Sequence, residues 1–459
     1  MAGKILKSSG LFFLTLAFVL MFPHITQANQ SAIVSWKEGH LDFALGKIQD
    51  EIISAYEATP DQVILSTHVL HDGDIAIFIS NGTDEELVLI NPEEPVPRKI
   101  TLPIKLERAS DSSKLKALVK DHNDALWSVH VSSIPQYIPT PNQGLAVIDH
   151  RSSNLVKIEK NQAIKTIDIE EYLPEKGYAP FINDIQYGGG LIYVSLSDGT
   201  VLAIDPDNNR LNYAMNTNHL PLLPLSDRKL GILNDREMSV YDSDGNLIST
   251  QIIDELSQLI PPSSIPKLIN SAFIQEENGV LILSYELINK KLIGIIEYDP
   301  ENNNIVSQSF FGYNSYLAAC SCTTADIEVI PLSTTQVMIV ENLQKVNVLN
   351  YKPLQIIHKG SPLITEVPAY LDTVRSKTWV PLAAATEALG GKISYDAFKR
   401  NIIIQYNERI REINQDHPDI EMITISEFGK TYVGIRDLME LFNIDIDWLQ
   451  ESYSVILNE

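Results

Sequence analysis

Only two cysteines occur in 459 residues, Cys320 and Cys322, so no disulfide framework holds this fold. Basic residues are scarce beside acidic ones. The chain carries 35 Lys and Arg against 59 Asp and Glu, a net charge of −24. Such a chain repels phosphate backbones and anionic surfaces, which argues against a nucleic-acid partner and against docking on anionic lipid. After the first 28 residues no apolar stretch reaches the ~20 residues of a membrane span. Helical periodicity is sparse from about residue 60 to 360. No His-Glu-x-x-His, Gly-x-Ser-x-Gly or phosphate-loop motif is present. What remains is ordinary for a globular protein: 44% hydrophobic and 20% charged residues. A disordered chain, a collagen and a coiled coil are excluded.

The first 28 residues contain no acidic group. Lys4 and Lys7 precede the apolar run Leu11 to Phe22, Pro23 ends it, and Thr26-Gln27-Ala28 supplies small residues. This three-part pattern reads as a secretory signal peptide over residues 1–28, with an uncleaved anchor as the alternative. No cysteine follows the run, so a lipid-modified cysteine is excluded. Cleavage leaves 33 basic and 59 acidic residues, a net charge of −26.

Residues 29–361 read as repeated pairs of short strands. The clearest pair is Leu191 to Leu196 and Thr200 to Ile204, joined by Ser197-Asp198-Gly199 and ended by Asp205-Pro206-Asp207-Asn208-Asn209. Similar units end at Asn91, Asp149, Asp242, Asp299 and Asn350, at separations of 37 to 58 residues. That period fits β-propeller blades carrying insertions, since stacked blades bury faces that one meander leaves bare. Six units are counted, and residues 31–60 joined to 361–370 offer a seventh, so six or seven blades are expected. An irregular pair of β-sandwiches is the competing reading. The pattern resembles the β-propeller superfamily in general, without a WD40, kelch or six-bladed lyase signature.

Residues 362–459 contain an internal duplication at an offset of 53. Trp379 corresponds to Tyr432, Val380 to Val433, Glu387 to Glu440 and Tyr395 to Trp448. Each copy reads as a strand, a helix and a hairpin. Leu382, Ala385 and Leu389 share one helix face, as do Ile435, Leu438 and Phe442. Pro381 suits a first helical turn, and Gly390-Gly391 a stop.

The motifs Val380-Pro381-Leu382, Glu387-Ala388-Leu389-Gly390 and Tyr395-Asp396 resemble the copper amine oxidase N-terminal-like domain. That resemblance implies a secreted protein of a Gram-positive spore-former and a duplicated α+β domain. Ala383 departs from the usual Arg, which Arg436 keeps in the second copy. Gly434 stands for the second Pro, and Leu449 for the second Asp. In amine oxidases this domain is a stalk that binds no copper, so no amine oxidase activity is expected. The quinone-forming Tyr setting is also missing, because Asn212-Tyr213-Ala214 and Asn350-Tyr351-Lys352 lack the acidic neighbour. No His-x-His pair occurs.

Other chemistry-bearing residue types read as structural. His68 and His71 with Asp72 and Asp74 have metal-ligand character but no marked distant ligand, and are read as turn residues. Asp205 to Asn209 and Asp242 to Gly245 lack the Gly and Glu of a calcium loop. Cys320 and Cys322 read as a free pair or local staple, and Ser264 with Lys267 is interrupted by Pro266. Trp36, Trp127, Trp379 and Trp448 read as core or strand residues. No catalytic, cofactor-binding or metal residue is assigned.

The expected architecture is mainly β: a six- or seven-bladed propeller followed by a small duplicated α+β domain. The expected function is an exported, non-catalytic binding protein. The propeller is its platform for an extracellular ligand or protein, and residues 362–459 attach it to a cell-wall polymer. The alternative is an extracellular lyase or hydrolase using loop carboxylates and Ca²⁺. Mass spectrometry of secreted material is expected to find Asn29 at the amino terminus; an intact Met1 end would refute cleavage.

Overall fold

The computed structural model describes residues 33–458 except 39–40, 50–52, 71, 82–84, 92–96, 102–117, 140–144, 160–161, 174–179, 181, 221, 235–236, 254–272, 276–279, 288–291, 313–326, 415–419 and 426–427. Residues 1–28, read as a signal peptide, together with His71, the Ser264/Lys267 pair and the Cys-Ser-Cys motif, lie outside the described residues.

Five of the repeat units read from the sequence become the second and third strands of a four-stranded blade; in blade two the strand expected to end at Asp149 instead runs on to Glu159. Blade one is Val63–Val69, Ile75–Ser80, Glu85–Ile90 and Arg98–Thr101. Blade two is Leu118–Lys120, Leu126–Pro139, Leu145–Glu159 and Gln162–Asp168. Blade three is Ile182–Gly188, Leu191–Leu196, Thr200–Asp205 and Arg210–Asn216. Blade four is Leu222–Pro224, Leu230–Asn234, Glu237–Tyr241 and Leu247–Ile252. Blade five is Phe273–Gln275, Val280–Leu287, Leu292–Asp299 and Asn304–Gly312. Blade six takes Ile327–Ser333, Gln336–Glu341 and Lys345–Pro353, and is completed by Ile53–Glu57 from the start of the chain.

The middle strands are apolar because both their faces are covered. Ile75 to Ile79 and Leu191 to Val194 are buried almost completely, which requires a neighbouring sheet on each side. The neighbours are the adjacent blades. Phe78 of blade one packs with Leu126 and Val156 of blade two. Trp127 and Leu155 pack with Ile192 and Leu202 of blade three. Tyr193 packs with Leu230 of blade four, and Met238 with Ile296 of blade five. Blade five meets blade six through the Phe311 and Tyr351 rings, 5.5 Å apart, and a 2.6 Å Ser309–Tyr351 hydroxyl contact. Met338 of blade six packs with Ile77 of blade one. The ring therefore closes, which separates a propeller from the pair of sandwiches.

The segment that offered a seventh blade is divided instead. Ile53–Glu57 serves blade six. Leu41–Ile48 pairs along one edge with Ile33–Glu38, and along the other with Tyr370–Asp372 through Phe43 and Ala44 and with the end of Lys345–Pro353 through Gly46 to Ile48. It thus extends blade six into the sheet of the C-terminal domain, ordered Tyr370–Asp372, Lys377–Pro381, Lys430–Gly434, Met422–Ile425. The reason is local: among the described residues blade six lacked only an outer strand, and Ile53–Glu57 fills it. At the junction Gly46 permits the close approach, since a Cβ there would lie 2.6 Å from the Lys352 carbonyl oxygen.

In the C-terminal domain, helix α1 (Leu382–Ala388) follows Lys377–Pro381 and helix α2 (Ile435–Phe442) follows Lys430–Gly434. Pro381 is the N-cap of α1 rather than part of its first turn. Leu382, Ala385 and Leu389 share one core with Ile435, Leu438 and Phe442, as the helical spacing predicts. The strands pair Trp379 with Gly434, Val380 with Val433 and Pro381 with Tyr432. Exchanging the two copies maps these pairs onto themselves, so a pseudo-two-fold axis passes between Val380 and Val433. The first hairpin, Lys392–Asp396 with Asn401–Tyr406, gains Arg409–Asn414 as a third strand. The second, Asp445–Leu449 with Ser454–Asn458, gains Gln355–His358 in parallel.

The propeller grips this domain through Gln308. Its buried amide donates to the Thr365 carbonyl at 2.8 Å and to the Tyr285 hydroxyl at 3.0 Å, and accepts from the Thr365 backbone at 3.0 Å. Replacing it strands buried polar groups on Thr365 and Tyr285. Gln308→Ala is expected to lower stability by about 2–3 kcal/mol, measured by urea denaturation; a change near zero would show that water takes over these bonds.

Candidate functional site

In a four-stranded meander the first and third turns lie at the same end of the blade. The Asp-rich turns of this propeller fall there, and they meet across blade boundaries. Lys120 of blade two donates to Asp72 and to Asp74 (3.1 Å) of blade one, with Asp124 at 3.2 Å. His122 Nε2 lies 3.2 Å from Asp207 of blade three, its Nδ1 lies 2.9 Å from the Tyr187 hydroxyl, and Asn123 donates to Asp207 at 2.9 Å. Arg228 of blade four reaches Asp205 at 3.3 Å. Ser226 donates to Glu301 of blade five at 2.7 Å, and Thr334 of blade six donates to Glu297 through both its backbone and its hydroxyl at 2.9 Å.

The same carboxylates hold their own turns. Asp121 is buried and accepts from the Asn123 and Ala125 backbones and from Trp127 Nε1 at 2.8–3.0 Å. Asp205 accepts from the Asp207 backbone, and Asp242 from the Asp244 and Asn246 backbones. The Asn246 backbone hydrogen bond, with others from the same turn, holds the Asp242 carboxyl below its usual value. The positions read as failed calcium loops are thus Asx turns.

The candidate metal cluster at His68, Asp72 and Asp74 is filled by an ammonium. His68 lies on a blade-one strand, edge-on to Phe78 with ring centroids 5.8 Å apart. Burial, followed by repulsion from Asp72, raises the Asp74 pKa above its usual value, with Lys120 opposing. Burial alone would lower the Lys120 pKa, but Asp72 and Asp74 outweigh it and raise it. Trp127 and Trp379 are fully buried, and Trp36 lies on Ile33–Glu38. Tyr351 is buried against blade five. Tyr213 is largely buried, and that burial pushes its hydroxyl up to about 12.

A second site, which the motif search did not mark, lies in the C-terminal domain. A cavity of about 400 Å³ opens between α1 and the first hairpin, lined by Glu366, Leu382, Ala384, Ile393, Tyr395 and Lys430 among others. Lys430 and Glu366 form an ion pair on its wall. Tyr395 is half exposed. Its counterpart Trp448 is also exposed, but meets Tyr453 edge-on at 5.2 Å and donates to Gln450. The offset of 53 was the signal available in the sequence, because it aligns small Ala383 and Ala384 with Arg436 and Asp437.

These features can be set beside known proteins. Residues 357–457 match the copper amine oxidase N-terminal domain family. The match begins inside Gln355–His358, the strand that pairs with the last strand of that domain. No curated protein matches the chain significantly. Among solved structures, the chain is similar to a WD40 domain from Toxoplasma gondii coronin, with 11% identity over 74% of this chain and 93% of that one, TM-score 0.35. It is similar to the C-terminal WD40 domain of Sif2, with 8% identity over 83% and 98%, TM-score 0.34. A Bacteroides caccae protein of unknown function matches at 16% identity over 42% and 69%, TM-score 0.26. The propeller itself rests on the six sheets and the closed ring of this chain.

Lys120→Met leaves Asp72 and Asp74 facing each other. The folded-state pKa of Asp74 then rises further above its usual 3.8, so the variant loses stability as pH rises through that pKa and recovers it below. A deficit of about 2 kcal/mol is expected at pH 7, lessened by the water that both carboxylates still meet, and little at pH 4. Thermal melts at the two pH values measure it; an equal deficit at both would refute the electrostatic account.

Proposed function

We propose that this chain is an exported, non-catalytic binding protein. Its propeller is a rigid platform for an extracellular ligand or protein partner. Its copper amine oxidase N-terminal domain is an attachment module for a cell-wall polymer. The observation that carries this reading is the open cavity beside Lys430 and Tyr395, which combines apolar walls with a few polar groups in the manner of a ligand pocket. The sheet running from blade six into the domain supports a fixed geometry between platform and attachment.

The lyase or hydrolase alternative needs carboxylates available for acid–base work or Ca²⁺ binding. On the Asp-rich face Asp72, Asp74, Asp121, Asp205 and Asp242 are engaged in turns and ion pairs, which favours the binding reading.

The full chain is expected to co-sediment with purified Gram-positive cell walls at physiological ionic strength. Protein left wholly in the supernatant would overturn the attachment role.

A further inference from the structure

The duplication provides an internal comparison between two equivalent corners of the C-terminal domain. The offset of 53 takes Lys377 to Lys430, Pro381 to Gly434, Ala383 to Arg436 and Ala384 to Asp437. Because the two strands cross the pseudo-two-fold axis side by side, each lysine meets the helix of the other copy.

At the first corner the chain fills its own space. Lys377 Nζ is shared by two carboxylates, donating to Asp437 Oδ2 at 2.9 Å and to Glu421 Oε2 at 3.0 Å. Arg375 donates to the same Glu421 at 2.8 Å. Gly434 makes room for this group: a Cβ there would lie 2.1 Å from Lys377 Cε and 2.8 Å from Asp437 Oδ2. Its departure from the family's proline thus has a steric reason.

At the second corner the corresponding acid is missing. Lys430 pairs with Glu366, but the place of Asp437 is taken by Ala384 and that of Arg436 by Ala383. The cavity of about 400 Å³ opens at this corner, and Lys430, Ala383 and Ala384 all line it.

We propose that this cavity binds a small molecule bearing a carboxylate, which Lys430 holds as Lys377 holds the Asp437 carboxylate. A lysine shared between two carboxylates is the arrangement the chain itself builds at the equivalent corner, so a monoanion completes the second one. A phosphate dianion fits less well, because Glu366 already stands beside Lys430. Leu382, Ile393 and Tyr395 suit a ligand with a small apolar body, and Ser394 and Thr431 supply hydroxyls. A peptide carboxyl terminus with small side chains and a sugar acid both carry this chemistry. The inference rests on the reading of this domain as the module that engages an external polymer, and it names the group that is recognised.

Isothermal titration of the full chain with N-acetyl-Ala-Ala, its carboxyl-terminal amide, glucuronate and inorganic phosphate tests it. At least one of the two carboxylates is expected to bind at a single site. N-acetyl-Ala-Ala alone would identify a peptide source, and glucuronate alone a sugar acid. The amide and phosphate are expected to bind at least about tenfold more weakly than the bound carboxylate. Ala384→Asp restores the acid of the other corner, so it is expected to abolish carboxylate binding without lowering the melting temperature. Lys430→Met is expected to weaken binding at least about tenfold, and carries the decision if Ala384→Asp does not fold. Failure of both carboxylates to bind, equal binding of acid and amide, or wild-type affinity in a folded Ala384→Asp or Lys430→Met chain would overturn the proposal. Carboxylate binding without wall co-sedimentation would leave this pocket standing and remove the attachment role; co-sedimentation without carboxylate binding would do the reverse.

Discussion

The strand Leu41–Ile48 is paired along one edge with Ile33–Glu38, and its other edge is shared end to end by Tyr370–Asp372 of the C-terminal domain and Lys345–Pro353 of blade six. A backbone ladder cannot be left half made in a buried setting without a cost for each orphaned group. The two parts of the molecule are therefore joined by sheet and not by a linker. Gly46 lets the strands approach, Leu354 donates its backbone N–H to the Leu45 carbonyl at 2.8 Å, and Gln308 locks Thr365 from the propeller side. A domain attached in this way holds the propeller at a defined angle, where a flexible linker would let it tumble.

The propeller is held by two kinds of contact. Apolar side chains fill the space between blades, and polar turn residues tie blade to blade at one end. The second kind explains much of the acidity. Asp72, Asp205, Asp207 and Glu301 serve as interblade acceptors, and Asp205 and Asp299 shape the turns that present Asp207 and Glu301. Exposed members of this belt contribute little each. Lys120 differs because it sits mostly shielded among three carboxylates, where loss of the cation leaves charges without a partner.

Much of this was legible in the residues. Alternating short apolar runs ended by Asp or Asn placed the second and third strands of five blades, because those strands are the ones buried on both faces; in blade two the strand runs on through Asp149, and its buried part is Leu155 to Ile158. First and fourth strands were less legible, since Arg210–Asn216 and Leu247–Ile252 lie half in water and carry polar residues. The choice between six and seven blades stayed open for a related reason. Residues 33–57 do read as strand, but strand propensity says nothing about which edge a strand joins. Helix faces in the duplicated domain were read correctly, because each helix packs one stripe against a single core.

The sequence alone determined the local alphabet of this protein: its strand and turn rhythm, the 53-residue duplication and the small residues Ala383 and Ala384 that break its symmetry. Those features follow from side-chain chemistry acting over a few neighbours. Only the tertiary structure decided that the ring closes at six blades, that Leu41–Ile48 joins two domains and that the carboxylates at 72 and 74 hold a lysine in place of a metal. It also decided that a cavity opens at the corner where the symmetry is broken. Those outcomes depend on groups tens to hundreds of residues apart meeting within a few ångströms, which no local pattern encodes.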